Sequence, residues 1–260
     1  MKKILKILHI IVFIVVLSGC SGQKNIEEDY DISIISTDKI SLFKRHNGSI
    51  TLQKEIKRND NFGFLKDDYF NLKDKMFIKT TVIGKKALLA KINKNTLNID
   101  LKKDDSEPYA FTCYENRIYA TTVFTDKFNI IEYDDNFKEI KKKEIKKEGV
   151  NITNDIQVYK DNIFILGGNI DKNSKIRNLI WKFDMNFNLL EEIDLNYGQG
   201  AYLRFYIKDD IIYISQNSHG LTANNEPKGS NKILKYNINN KSKEFKALNL
   251  CFKIVSIFLS

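Results

Sequence analysis

The chain has 260 residues, 42% of them hydrophobic and 29% charged, and a net charge of +9. That mixture can bury a core and excludes a disordered or collagen-like chain. The three Cys and three His are scattered, which excludes a disulfide scaffold or zinc ribbon, while 12 Tyr, 17 Phe and only 2 Pro favour strands.

Residues 1–19 read as an address rather than as part of the fold. Lys2, Lys3 and Lys6 form a positive start, and residues 7–17 are apolar apart from His9. This stretch is shorter than the ~20 apolar residues of a membrane-spanning helix and has the layout of a secretory signal. It ends in Leu17-Ser18-Gly19-Cys20, which resembles the bacterial lipobox. The resemblance implies that the Cys20 thiol is lipidated, with acyl chains such as palmitate, and that the chain is cut just before it. The product would be a lipoprotein held on the extracytoplasmic face of the cell membrane. Each buried methylene contributes about 0.8 kcal/mol, so two or three acyl chains hold far better than one. Residues 20–29 then form the lipidated cysteine and a polar tether, and residues 30–260 the folded domain.

Within that domain a short pattern recurs: an acidic or amide residue, any residue, an apolar residue, then an aromatic. It reads Asp74-Lys75-Met76-Phe77, Asn116-Arg117-Ile118-Tyr119, Asp161-Asn162-Ile163-Phe164 and Asp210-Ile211-Ile212-Tyr213, with the aromatics 42, 45 and 49 residues apart. The Asp or Asn suits a tight hairpin turn with positive φ. Further along each unit a strand ends in a polar turn, as in Asp134-Asp135-Asn136-Phe137 and Asp184-Met185-Asn186-Phe187; the first unit uses Asn47-Gly48. The strand carrying the aromatic is apolar on both faces, as in Ile163-Phe164-Ile165-Leu166, and the last strand is charged, most clearly over 138–147 (KEIKKKEIKK). Buried inner strands, charged outer strands and a repeat of about 45 residues predict an all-β fold, a β-propeller of about five four-stranded units, with a β-sandwich as the alternative. The units span roughly 30–60, 61–108, 109–149, 150–200 and 201–250.

The fourth unit carries a further resemblance. Residues 161–168 (DNIFILGG), followed by Trp181-Lys182-Phe183-Asp184, look like a kelch repeat, with its glycine pair after the second strand and an aromatic-Asp pair closing the third. The other units lack the glycine pair, so the resemblance covers about 35 residues and transfers no functional residue. The first unit lacks its innermost strand. The apolar residues 251–260 either supply that strand and close the ring or are an unnatural tail on a truncated fragment.

The candidate chemistry is sparse. Asp74, Asp161 and Asp210 repeat at one turn position and Asp134 and Asp184 at another, the mark of structural residues. His9 leaves with the signal, and His46 and His219 lack ligand partners, so neither a metal nor a cofactor is expected. Cys113 lies in an apolar strand and reads as a buried, inert thiol. The polar loop over 215–220 (SQNSHG) opens the longest irregular segment, which makes Gln216, Asn217 and His219 the candidate ligand-binding residues. Lys and Glu interleave in the basic stretches without a recognition module, so no nucleic-acid partner is expected. The expected function is a lipid-anchored module that binds a protein or envelope-glycan partner. The alternatives are an extracellular carbohydrate-active propeller enzyme and an inactive fragment.

Overall fold

Among the described residues nineteen strands follow one another where apolar and β-branched residues alternate, and most pairs are joined by turns built on Asp, Asn or Gly. The computed structural model describes residues 30–36, 38–57, 62–82, 87–102, 108–124, 126–146, 150–170, 176–195, 202–216 and 232–247. The signal segment, Cys20, the tether and residues 251–260 lie outside these. The first sheet holds β1 (Ile32–Ile35), β2 (Lys39–His46) and β3 (Ser49–Lys57). The second holds β4 (Phe62–Leu72), β5 (Lys75–Val82), β6 (Ala87–Asn93) and β7 (Ile99–Leu101), and the third β8 (Pro108–Tyr114), β9 (Arg117–Val123), β10 (Lys127–Tyr133) and β11 (Glu139–Lys146). The fourth holds β12 (Val150–Tyr159), β13 (Asn162–Ile170), β14 (Ile176–Asp184) and β15 (Leu189–Asp194), and the fifth β16 (Tyr202–Lys208), β17 (Ile211–Gln216), β18 (Lys232–Asn237) and β19 (Lys243–Ala247). Each sheet is an antiparallel meander with its strands in chain order.

The sheets pack face to face in succession. Ile40 and Leu42 of the first meet Ile78, Ala90 and Ile92 of the second. Phe77 and Leu89 meet Phe111, Ala120 and Ile131 of the third. Phe128 and Ile130 meet Ile163, Trp181 and Phe183 of the fourth, and Phe164, Leu166 and Ile180 meet Phe205, Ile212 and Leu234 of the fifth. Meanwhile the first strands β4, β8, β12 and β16 touch their neighbours in turn. Meanders stacked side by side, with their first strands adjoining about an axis, make a β-propeller of about five blades. A sandwich would have had two facing sheets.

Burial follows from this stacking. A blade with a neighbour on each side buries both faces, and Ile163, Phe164, Ile165 and Leu166 of β13 are all buried. In β17 only Ile212 and Ile214 are buried, while Ile211 and Tyr213 are half-buried. The fifth blade is covered by the fourth on one face only, among the described residues. The outer strands β3, β11 and β19 are mostly exposed, and their lysines and glutamates keep the sheet edges solvated.

Candidate binding face

The two ends of the propeller are built differently. At one end blades two to five turn tightly from first to second strand. The central residues of those turns are left-handed at Glu115-Asn116 (45° and 64°), Lys160-Asp161 (48° and 55°) and Asp209-Asp210 (51° and 60°), and Lys73 takes this conformation (54°) in the second blade. Both central residues with φ > 0 is the hairpin geometry whose twist matches that of the strands. The turns from third to fourth strand lie at the same end. There Asp134 Oδ1 accepts from Asn136 N and Lys138 N, each at 2.9 Å, and Asp184 Oδ1 accepts from Asn186 N (2.8 Å) and Asn188 N (2.7 Å). Asn93 and Asn237 cap the corresponding turns of the second and fifth blades in the same way. The carboxylates of Asp134 and Asp184 are therefore committed to the backbone, the structural role that their repetition suggested.

Side chains at this end also tie each blade to the next. Lys75 pairs with Asp135, Tyr114 Oη donates to Asp161 at 3.1 Å, and Lys160 pairs with Asp210 at 2.8 Å. Lys141 Nζ donates to Met185 O at 2.9 Å, and Lys241 pairs with Glu191 at 2.8 Å. An end stitched in this way has little freedom to reshape around a ligand.

The opposite end receives the connections from second to third strand and from each blade to the next. Beneath it, buried and half-buried polar side chains run down blades three and four along their interfaces. Thr121 and Thr153 share a hydrogen bond of 2.8 Å across the blade interface, and Thr121 Oγ1 also accepts from Ala110 N at 3.2 Å. Asn129 Nδ2 donates to Thr122 Oγ1 at 3.0 Å. On β12, Asn154 Nδ2 donates to Tyr202 O at 2.8 Å, while Asp155 Oδ2 accepts from Phe205 N at 3.0 Å and its Oδ1 from Ile156 N at 2.9 Å. Gln157 Nε2 donates to Phe205 O, and its Oε1 accepts from Ile207 N at 3.3 Å. These three side chains satisfy backbone groups on the inner edge of β16, with which no strand pairs among the described residues.

Of the candidate residues of the long loop, Gln216 has a described backbone, and it belongs to this end. Gln216 closes β17, and its backbone lies in register with buried Tyr202, beside the polar layer. Asn217 and His219 lie outside the described residues. The layer itself had gone unread, although polar residues interrupting apolar strands (Thr121-Thr122, then Thr153-Asn154-Asp155) are a visible signal. A sugar-cleaving reading asks for two carboxylates converging on the axis. Among the innermost-strand carboxylates whose side chains are described, Asp155 stands alone, held by two backbone N–H groups. Cys113 is half-buried and burial pushes its thiol up to about 12, so it stays protonated and unreactive at neutral pH.

No protein-family model matches the chain, and no curated protein sequence does. Among solved structures it is similar to the WD40 domain of Neurospora crassa Pan2, at TM-score 0.49 and 8% identity, over 87% of this chain and 67% of that one. It is also similar to a subtype N10 neuraminidase-like protein of A/little yellow-shouldered bat/Guatemala/060/2010, at TM-score 0.46 and 8% identity, over 68% of this chain and 56% of that one. Likeness at this level carries no function across.

Proposed function

We propose that the chain is a lipid-anchored, extracytoplasmic propeller that binds a protein or envelope-glycan partner at its long-loop end, through a surface including Gln216, Asn217 and His219. The observation that carries this reading is the asymmetry of the two ends. One is closed by capped turns and blade-to-blade ties, while the other takes the three longest connections, 102–107, 195–201 and 217–231, above a polar layer in which Thr121, Thr153 and Asp155 are buried. Loops held on a rigid scaffold are where binding residues concentrate, because they vary without disturbing the core. Lipidation at Cys20 follows from the lipobox resemblance and sets the geometry, a domain tethered close to the membrane by a short polar segment.

The experiment compares wild type with a Gln216→Ala, Asn217→Ala, His219→Ala triple variant in pulldowns from detergent-solubilised membranes. The wild type should recover a specific protein or glycan, and the variant about tenfold less of it, since three lost interface side chains at about 0.5 kcal/mol each sum to about 1.5 kcal/mol. Recovery of nothing specific by the wild type, or equal recovery by both, overturns the binding reading. Separately, Cys20→Ala should move the protein from the membrane fraction to the soluble one and abolish labelling by a fatty acid.

A further inference from the structure

The first blade differs from the others in a way that goes beyond the binding reading. It has three strands among the described residues where each other blade has four. Its Asn47-Gly48 turn joins β2 to β3 as the capped turns join third to fourth strand elsewhere, so β1 corresponds to a second strand and the vacant position is the innermost. Among the described residues no strand pairs with the inner edge of β1. Ser36 N donates to Lys39 O at 2.9 Å, and with the register Ile34↔Ser41 and Ile32↔Phe43 the antiparallel alternation turns the N–H and C=O groups of Ser33 and Ile35 toward that open edge. A cavity of about 760 Å³ lies beside it, lined by Ser33 and Ile35 of β1, Tyr69 and Asn71 of β4, and Arg45 and Lys94. β4 is the innermost strand of the next blade, so this cavity lies where an innermost strand of the first blade would run.

We propose that this edge is a strand-acceptor site and that residues 251–259 of the same chain occupy it. The connections from one blade's last strand to the next blade's first run over 58–61, 102–107, 147–149 and 195–201, three to seven residues each. After β19 ends at Ala247, residues 248–250 make a connection of the same length, and 251–259 (CFKIVSIFL) follow with the apolar content of an inner strand. Like β7, β11 and β15, β19 ends at the long-loop end. A strand continuing from it runs back toward the tight-turn end, antiparallel to β1, as every innermost strand here runs against its second. Docking there brings the fifth blade toward the uncovered face of the first, where Ile34, Ile50 and Leu52 are 54%, 57% and 51% exposed. It also satisfies the open backbone groups of β1.

The test is amide hydrogen exchange on the full chain and on its Ile254→Pro variant, which cannot pair through that residue. Ser33 and Ile35 should exchange at least tenfold more slowly in the full chain, with Ile163 to Leu166 of the fourth blade unchanged between the two as the control for folding. Adding a synthetic peptide of residues 248–260 to the variant should restore the slow exchange. Equal rates at Ser33 and Ile35 in both chains overturn the proposal, as does slow exchange that appears only when a membrane extract is added, since the occupant is then another protein. If Ile254→Pro does not fold, Ser33→Cys is paired in turn with Val255→Cys, Ser256→Cys and Ile257→Cys in a Cys251→Ser background. One pair should form a disulfide under mild oxidation, and failure of all three overturns the proposal. None of these readouts depends on partner binding, so the two proposals fail separately.

Discussion

Gly167 shows how one residue reconciles a strand with its neighbours. It lies opposite Thr153 on β12, where the register shifts between Thr153 and Asp155 and Asn154 becomes the extra residue of a bulge. A Cβ at Gly167 would fall inside the contact radius of Ile152 O and 2.8 Å from Trp181 Cζ3. The glycine lets β12 and the indole close in, and the bulge turns Asn154 and Asp155 toward β16. Gly167→Ala should therefore destabilise the fold by about 1–3 kcal/mol, seen as a Tm lowered by several degrees. An unchanged Tm would show that the backbone of β12 yields freely.

Asp184 works through hydrogen bonds of the same short range. The N–H of Asn188, then its side-chain amide, then the N–H of Asn186, hold this carboxyl below its ordinary value of 3.8. A depressed folded value means that the stabilisation is fully present above the unfolded value and is lost as pH falls through the folded one. The Tm difference between wild type and Asp184→Ala should thus be constant near neutrality and shrink below about pH 4. A difference that stays constant into stronger acid would remove the carboxylate from this role.

At the scale of elements, the turns from third to fourth strand do more than reverse the chain. Each places one left-handed residue at the same point: Leu97 (56°), Phe137 (64°), Phe187 (63°) and Lys241 (59°). Each side chain points back to the preceding blade. Leu97 joins the cluster between blades one and two, Phe137 packs edge-on against Phe77 at 5.6 Å, and Phe187 is buried between blades three and four. Lys241 substitutes an ion pair with Glu191 for the apolar contact. A side chain with φ > 0 costs about 1 kcal/mol or more, and burial of the ring offsets this. Phe187→Ala should cost about 3–5 kcal/mol. Phe187→Gly should melt no lower than Phe187→Ala, the reverse of the usual order, because glycine alone is relieved of the strain. If glycine melts clearly lower, strain at this position is negligible.

Over the whole molecule, the strands and their order were legible because a strand's signal is local: alternation, an Asx turn, a charged edge. In the first unit Asn47-Gly48 marks where β2 ends and β3 begins, since that pair admits little besides a hairpin turn. The charge of β11 and the apolar run of β13 reported their depth directly, because a blade's outer strand meets water and its inner strands meet two neighbours. The candidate face was legible only in part. The sequence singled out a long polar loop by composition, but the polar contacts of Thr121, Thr153, Asn154, Asp155 and Gln157 join residues 32 to 50 positions apart. No spacing rule pairs such residues, because their contact exists only once two sheets have stacked. The same holds for Phe187, legible as part of a turn but not as a wedge between blades, and for the cavity beside β1, which is a property of a missing neighbour. The sequence by itself determined the repeat, the turns and the direction each strand faces, all set by interactions within a few residues. Only the tertiary structure decided which blades touch, which polar groups close the inner edges and where an edge is left open, because those energies arise between segments whose separation along the chain is arbitrary.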